Sequence, residues 1–290
     1  MKRVRKAVLP VAGLGTRVLP GSKTVPKELL NVVDRPIISY IVAEGRAAGI
    51  DHFVFVTGRG KGAIEDYFDR HIELEAQLEA KGKTELLRAV TEELPQPGEM
   101  SFVRQMAPLG LGHAVWCARD LIGDEPFAVM LPDVIMEARP SVLKQLIDVH
   151  DARGGNVIGV EQVPESETHK YGVIAPGNRE GRLSTMTGMV EKPAPGTSPS
   201  NLSIAGRYVL QPQIFEALSA HETGAGGEIQ LTDGMAALIG QQPFHGVTFA
   251  GERHDCGDAR GFVLANLALG LARDDLAPAI RAFLAEREAD

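Results

Sequence analysis

The chain has 290 residues, of which 44% are hydrophobic and 23% charged, and its formal net charge is −8 at pH 7. This composition is that of an ordinary globular protein, and the length suffices for one large α/β domain or two smaller ones. The acidic balance argues against a broad nucleic-acid-binding surface, which needs a basic face, although a locally positive pocket for a small anion is compatible with it.

The sequence predicts neither export nor membrane insertion. The basic residues 2–6 are followed by a short apolar stretch that Pro10 and Gly13 interrupt, so we interpret the N-terminus as mature protein without an export signal. No apolar run reaches the roughly 18 residues that span a bilayer. Cys117 and Cys256 have neither a C-x-x-C nor a zinc-type spacing. Isolated cysteines of this kind favour the reducing cytoplasm.

The first half of the chain alternates strand and helix patterns. Apolar runs at residues 7–12 and 52–57 end in glycines and predict buried strands, and residues 37–48 between them predict a helix. Residues 63–94 predict a helical insert of two solvated stretches with a break at Gly82. Further strands are predicted at residues 100–105, 127–131 and 157–163. This order favours an α/β fold with a Rossmann-like, mostly parallel (mixed) sheet flanked by helices.

The second half has fewer regular patterns. Residues 165–206 are rich in Gly, Pro, Ser and Thr and contain short strand-like pieces at 172–174 and 188–190, and they predict a loop-rich lobe over the edge of the sheet. Residues 261–288 are amphipathic and predict helices that either close the domain or pack against another subunit. Because no long linker is present, we expect one catalytic domain over residues 1–260, followed by C-terminal helices over residues 261–290.

A glycine loop directly after the first predicted strand is the most informative segment. Its members are Ala12, Gly13, Gly15 and Thr16. Glycines let phosphate oxygens approach closely and leave backbone N–H groups free to point at an anion. Arg17 adds a forked cation suited to phosphate, and Lys27 adds a compact one. A simple tight turn is the alternative for the glycines alone.

Two other phosphate-binding patterns do not fit this loop. The dinucleotide fingerprint G-x-G-x-x-G fails because Val18 occupies the third glycine position, where Gly or Ala permits close helix packing. The P-loop pattern G-x-x-x-x-G-K-[ST] is absent as well. A nicotinamide-dependent oxidoreductase therefore stays only as a minor alternative, which a test of NAD binding would decide.

Asp133 follows a predicted apolar strand, within Leu131-Pro132-Asp133-Val134. Open α/β sheets bind their ligands at the carboxyl ends of strands. A carboxylate there suits Mg²⁺, which prefers one or two carboxylates together with phosphate oxygens. A helix cap is the alternative role for this single residue.

The ordered series G-x-G-T-R, P-K-E and E-K-P resembles the sugar nucleotidyltransferases. The first two motifs include Arg17 and Lys27, and the third is Glu191-Lys192-Pro193. The resemblance extends over residues 6–269. Ser22-Lys23 replaces the Thr-Lys usual in the family, a change that keeps a hydroxyl group. The resemblance implies an enzyme that joins a nucleoside triphosphate to a sugar 1-phosphate with the help of Mg²⁺.

The resemblance also implies a role for each site residue. Catalytic roles fall to Arg17, Lys27, Asp133 and Lys192. Nucleotide binding falls to Ala12, Gly13, Gly15, Thr16, Glu28, Gln105, Gly110 and Gly112, with Gln105 at the edge of the base and Gly110 offering backbone to it. Sugar-phosphate binding falls to Gly172, Glu191 and Lys192, in a sugar-binding lobe over about residues 165–210. The metal ligands would be Asp133 and Asp255.

Three features resemble the uridylyl-transferring rather than the thymidylyl-transferring group of the family. The loop opens with Pro10-Val11-Ala12-Gly13, Val134 follows Asp133, and the helical insert occurs together with residues 226–233. The resemblance therefore implies UTP and glucose 1-phosphate as substrates, and a homo-oligomer, either dimer or tetramer. A thymidylyltransferase and a non-catalytic nucleotide-binding regulator of the same fold are the alternatives.

Overall fold

A computed structural model describes residues 2–288, and within them the chain forms thirteen strands and eleven helices. The strands are β1 Lys6–Pro10, β2 Asn31–Val32, β3 Arg35–Pro36, β4 His52–Thr57, β5 Met100–Arg104, β6 Phe127–Met130, β7 Val134–Glu137, β8 Asn156–Gln162, β9 Gly172–Glu180, β10 Leu183–Glu191, β11 Leu202–Leu210, β12 Phe244–Thr248 and β13 Glu252–Asp255. The helices are α1 Ile37–Ala47, α2 Gly62–Phe68, α3 Ile72–Ala80, α4 Thr84–Thr91, α5 Leu111–Cys117, α6 Arg119–Ile122, α7 Val142–Arg153, α8 Ile214–Ser219, α9 Leu231–Leu238, α10 Ala259–Leu271 and α11 Ala277–Glu288.

Nine of these strands form one sheet in the order β5-β4-β1-β6-β11-β8-β12-β10-β9. Strands β5, β4, β1 and β6 run parallel to one another, and β11 lies antiparallel between β6 and β8. Beyond β8, β12 is parallel to it, and β10 and β9 continue the sheet as an antiparallel ribbon. The predicted α/β fold with a mixed sheet is therefore confirmed.

The central strands are apolar on both faces because helices cover both sides of the sheet. Along β1, Leu9 points into a core beneath α1 and α7, whereas Val8 points into a second core beneath α5, α8 and α9. Along β4, Phe53 and Phe55 join the first core and Val54 joins the second. This alternation fixes the register of the parallel strands. It also leaves their carboxyl ends at one edge of the sheet.

The loop-rich character predicted for residues 165–206 is wrong, although the strand-like pieces at 172–174 and 188–190 lie within β9 and β10. Strands β9, β10 and β11 have nine residues each and extend the main sheet. Much of β9 and β10 is exposed, so small and hydroxyl residues suit this ribbon. In β11, the apolar pattern is interrupted by Gly206 and Arg207, although every residue of the strand is buried. Gly206 has φ +83°, and a Cβ there would lie 3.1 Å from Leu131 Cδ1.

Helices form at both predicted places but with more breaks than expected. The insert contains α2, α3 and α4; Gly82, at φ +62°, separates the last two as predicted, and a second break separates α2 from α3. The C-terminal segment consists of α10 and α11. Helix α10 is tied to the body of the protein, since Asn266 Oδ1 accepts a hydrogen bond from Val33 N at 2.8 Å. None of the described helices has the length and apolarity needed to cross a membrane. The boundary at residue 260 stays a prediction.

Candidate active site

The residues predicted to bind the nucleotide and the metal gather at the carboxyl ends of the parallel strands. The glycine loop follows β1, Gln105 follows β5, and Asp133 follows β6. Gln105 N donates to Thr57 O at the end of β4 at 2.8 Å, so these strand ends are directly connected. This is the edge at which open α/β sheets bind ligands.

The glycine loop has the form of an anion cradle. Gly15 has φ +67°, and a Cβ there would lie 3.1 Å from Ser22 Cβ and 3.3 Å from Lys27 Cβ. The Ser22 hydroxyl donates to Gly15 O at 2.7 Å, which gives the Ser-for-Thr departure a physical meaning: the retained hydroxyl holds the loop. Over residues 2–288, the N–H groups of Gly13 and Gly15 donate to no protein acceptor. They are therefore available to phosphate oxygens.

Asp133 is the point on which two predicted cations converge. Its Oδ2 lies 2.6 Å from Lys27 Nζ and 3.5 Å from Arg17 Nη2. Lys27 and Asp133 are largely buried, whereas Arg17 is exposed. Burial alone would raise the pKa of Asp133, but the neighbouring Lys27 and Arg17 outweigh it and hold the pKa below its ordinary value. Asp133 is therefore ionised at neutral pH and can bind a cation.

Asp255 lies beside Asp133 because β13 pairs with β7. Cys256 N donates to Asp133 O at 2.8 Å. The Asp255 carboxylate accepts from Gly257 N at 2.9 Å, and its other oxygen lies 3.4 Å from Arg253 Nη1. Burial, followed by the charges of Asp255 and Asp133, raises the pKa of the Cys256 thiol to about 12. Two carboxylates at this edge make an oxygen donor set that fits Mg²⁺.

Gln105 is buried next to the residues predicted to frame the base. Its Nε2 donates to Gly110 O at 3.1 Å and lies 3.0 Å from His113 Nδ1. The His113 ring stacks on Trp116 with centroids 5.9 Å apart, and burial followed by the nearby His221 lowers its pKa. His113 thus packs between Trp116 and Gln105, and its contact with Gln105 Nε2 helps to fix the orientation of that side chain.

Gly110 and Gly112 pack against the main chain at Ile229, whereas the sequence predicts that they contact the nucleotide. A Cβ on either residue would lie within 2.9 Å of Ile229 O. Gly112 N donates to Ile229 O and Ile229 N donates to Leu109 O, each at 2.8 Å. The glycines at these positions are therefore explained by docking of residues 226–233, not by space left open for a base. Their roles in nucleotide binding stay predictions.

Glu28 is fully buried, with 0% of the residue exposed. Its Oε2 lies 2.7 Å from Lys61 Nζ, while Oε1 is buried without a hydrogen-bond partner among the described residues. Burial raises the pKa of Glu28, although Lys61 opposes this. The carboxylate thus lies in the interior of the protein and not on the open surface of the loop. Sequence reasoning missed Lys61 as the partner of Glu28. The contact of Glu28 with the nucleotide stays a prediction.

The predicted sugar-phosphate residues meet where β9 begins and β10 ends. Gly172 pairs with Glu191, and a Cβ on Gly172 would lie 2.9 Å from Glu191 Oε2. Thr232 Oγ1 donates to that same oxygen at 2.7 Å. Lys192 has φ +46°, its N–H donates to Tyr171 O at 3.0 Å, and its Nζ lies 3.7 Å from Glu191 Oε1. A carboxylate and a cation are therefore held side by side at this end of the ribbon.

The chain is similar to known proteins along most of its length. Residues 6–270 match the profile of the nucleotidyl transferase family. The chain belongs to this family. It is 49% identical, over 292 residues, to a UTP–glucose-1-phosphate uridylyltransferase from Bacillus subtilis, with 99% of this chain and 100% of that protein covered.

Two solved structures resemble this nucleotidyl transferase over most of its length. A UTP-bound UGPase from Acinetobacter baumannii is 41% identical, with a TM-score of 0.90, covering 98% of this chain and 99% of that one. A UDP-glucose pyrophosphorylase complexed with UDP-glucose is 39% identical, with a TM-score of 0.83, covering 93% and 100% of the two chains. The similarity thus extends across the glycine loop, the carboxylates and the β9–β10 ribbon.

Two further residues of the site carried no recognisable signal in the sequence. Arg253 lies over the Tyr171 ring at 5.2 Å, pairs with Glu161 and reaches Asp255, so it connects the sugar-phosphate residues to the carboxylates. Thr232 belongs to residues 226–233, which resemble the uridylyl group, but no role could be attached to it. Both are identified only by the folded contacts.

Replacing Thr232 with valine should weaken sugar-phosphate binding. Valine keeps the shape of the side chain but removes the hydrogen bond to Glu191 Oε2, and bonds of this kind to a charged group are worth about 1.5–3 kcal/mol. We expect the KM for the sugar phosphate to rise about 10-fold with a smaller change for the nucleotide. Steady-state kinetics with each substrate varied in turn measure this, and an unchanged KM would remove Thr232 from the site.

Proposed function

We propose that this nucleotidyl transferase transfers the uridylyl group of UTP to glucose 1-phosphate, giving UDP-glucose and pyrophosphate. The observation that carries the proposal is the convergence of Lys27 and Arg17 on Asp133 beside a glycine loop with free N–H groups. The choice of UTP and glucose 1-phosphate is supported by the name of the Bacillus subtilis relative.

The chemistry is an in-line displacement at the α-phosphorus of UTP. A phosphate oxygen of glucose 1-phosphate forms the new bond to that phosphorus. The bond from the α-phosphorus to the oxygen bridging it to the β-phosphate breaks, and pyrophosphate leaves with the electron pair. A phosphate monoester is already anionic near neutral pH, so no general base is needed. The protein must instead hold two anions together and stabilise the charge of the transferring group.

The site residues divide this work among them. The loop N–H groups and Arg17 would hold the β- and γ-phosphates, and Lys27 would lie beside the triphosphate. Lys192 would bind the sugar phosphate, and Glu191 would accept hydrogen bonds from sugar hydroxyls. Mg²⁺, held by Asp133 and Asp255, would neutralise phosphate oxygens when bound.

The decisive experiment is a pyrophosphate-release assay across four nucleotides and several sugar 1-phosphates. UTP with glucose 1-phosphate should give the highest kcat/KM. A preference for dTTP would favour the thymidylyltransferase alternative. The chain has one tryptophan, Trp116, which packs on the residue that contacts Gln105, so its fluorescence should report nucleotide binding. UTP binding without turnover would favour the non-catalytic regulator.

We further propose that the enzyme is a homo-oligomer that associates through its C-terminal helices. Val263, Leu264, Phe283 and Leu284 expose apolar side chains there. A charge at Phe283, which is 56% exposed, should disfavour association. We expect light scattering to show a shift towards monomer for Phe283→Glu. The matched change Ile72→Glu, at a 66% exposed residue of α3, should leave the mass unchanged; equal masses for wild type and Phe283→Glu would contradict this interface.

We also propose that the enzyme acts in the cytoplasm. Cys117 and Cys256 are unpaired in the structure, which suits a reducing compartment. Cell fractionation followed by detection of the protein would test this, and recovery outside the cytoplasmic fraction would contradict it.

A further inference from the structure

Arg207 is a buried cation that takes part in none of the proposed substrate contacts. It lies in β11, its side chain is 0% exposed, and it is the largest fully buried side chain among residues 2–288. A guanidinium has five N–H donors. Arg207 makes five hydrogen bonds. Its Nε and Nη2 donate to Glu44 Oε2 at 3.0 and 2.8 Å. The other three go to main-chain carbonyl groups: Nη1 donates to Leu131 O at 3.1 Å and to Gly206 O at 3.0 Å, and Nη2 donates to Val134 O at 2.6 Å.

Glu44 anchors this guanidinium from the opposite side of the first core. It lies on α1, and its second oxygen, Oε1, accepts a hydrogen bond from Leu143 N at 3.0 Å at the start of α7. The carboxylate balances the charge of Arg207, so the pair contributes little net field to the site. Buried ion pairs are weak contributors to stability because desolvation offsets their attraction. The arrangement of the donors is therefore the more informative property.

Two of the three carbonyl groups that Arg207 binds lie on either side of Asp133. Leu131 precedes the Pro132-Asp133 turn between β6 and β7, and Val134 follows it. Two main-chain bonds complete the support: Leu131 N donates to Gly206 O at 2.9 Å, and Cys256 N donates to Asp133 O at 2.8 Å. The backbone that carries the Asp133 carboxylate is thus held before, at and after that residue.

We propose that Arg207, anchored by Glu44, is a positioning residue for Asp133 in the reaction proposed above, on which this inference rests. Arg207 does not face the phosphates; its planar fork sets the turn that carries the carboxylate. A lysine keeps the charge, but one ammonium nitrogen cannot reach the carbonyls of Leu131 and Val134 while bonded to Glu44. The turn would then be free to shift, and a displacement of about 1 Å in a reacting group can cost roughly 100-fold in rate.

The test compares Arg207→Lys with Leu146→Ala, which opens a cavity in the same core at a fully buried residue of α7. Two kinds of measurement are made besides Tm. The first is the pair kcat and KM for glucose 1-phosphate. The second is the Mg²⁺ concentration that half-saturates equilibrium UTP binding, followed by Trp116 fluorescence without the sugar phosphate. For Arg207→Lys we expect kcat to fall about 10- to 100-fold, KM to change by less than about threefold, and the Mg²⁺ requirement to rise about fivefold or more.

The control separates positioning from general stability. Leu146→Ala should lower Tm while leaving kcat and the Mg²⁺ requirement unchanged. If Arg207→Lys behaves in the same way, Arg207 is merely structural and the proposal is overturned. Should Arg207→Lys fail to fold, Glu44→Gln replaces it: this variant keeps the guanidinium but weakens its anchor, and an unchanged kcat and Mg²⁺ requirement there overturn the proposal. If the wild-type enzyme releases no pyrophosphate, the proposed function fails, and the Mg²⁺ dependence of UTP binding still decides the role of Arg207.

Discussion

Asp133→Asn should lower kcat by about 1,000-fold while the chain keeps its fold. Asparagine has nearly the same size but no charge, so it cannot neutralise Lys27, which lies 2.6 Å from the carboxylate, or hold a divalent cation as a carboxylate does. The KM for UTP should change much less than kcat, because the glycine loop and Arg17 are untouched. Pyrophosphate release at saturating Mg²⁺ measures kcat, and circular dichroism verifies the fold.

The same replacement at an exposed carboxylate provides the control. Asp148 lies on α7 in a surface pair with Lys144, and Asp148→Asn should keep the wild-type kcat. Wild-type-like turnover of Asp133→Asn in Mg²⁺ would remove Asp133 from the metal site. The free energy of unfolding, measured as a function of pH for the wild type and Asp133→Asn, provides a second and independent measurement. Because the folded pKa of Asp133 is lowered, its ionised form stabilises the fold above the unfolded carboxyl pKa of about 4, and this contribution is lost as pH falls through the folded value.

The parts of the site that sequence reasoning located are those that follow buried strands directly. The glycine loop and Asp133 each come after an apolar run, and the carboxyl ends of parallel strands meet at one edge, so local patterns suffice to bring these residues together. The loop-rich prediction for residues 165–206 failed because the contacts that make these residues a strand join segments far apart in the chain. Strand β11 carries Gly206 and Arg207 at its centre: Gly206 lies against Leu131, and Arg207 binds Glu44 and the carbonyl groups of Leu131 and Val134.

Residues whose partners are distant in the chain could not be found from local patterns. Thr232 and Glu191 are 41 positions apart, and Arg207 and Glu44 are 163 apart. Gly110 gives a second example. The sequence predicts that this glycine belongs to the site, but the reason for a glycine there is the nearby carbonyl group of Ile229, which is brought to it only by the fold. Motifs thus locate the groups that would contact phosphate, whereas the groups that orient them depend on tertiary structure.

Lys192→Ala should raise the KM for glucose 1-phosphate about 10- to 100-fold, since a charge-assisted bond to phosphate contributes about 1.5–3 kcal/mol. The ammonium lies 3.7 Å from Glu191 and is half exposed, so it is free to turn towards a bound phosphate. Alanine keeps the N–H that donates to Tyr171 O, so the turn at this position should persist. Initial rates with glucose 1-phosphate varied at saturating UTP, and the converse, give the two KM values.

Selectivity between the two substrates is what distinguishes this assignment from a general loss of positive charge. Lys144 has a similarly exposed side chain, 41% against 52% for Lys192, but lies on α7, so Lys144→Ala should leave both KM values unchanged. A rise in the KM for UTP alone in Lys192→Ala would place the residue at the triphosphate instead. Equal effects on both substrates would indicate that Lys192 acts at the transferring phosphate, where both anions meet, because only there does one cation contact atoms of each substrate.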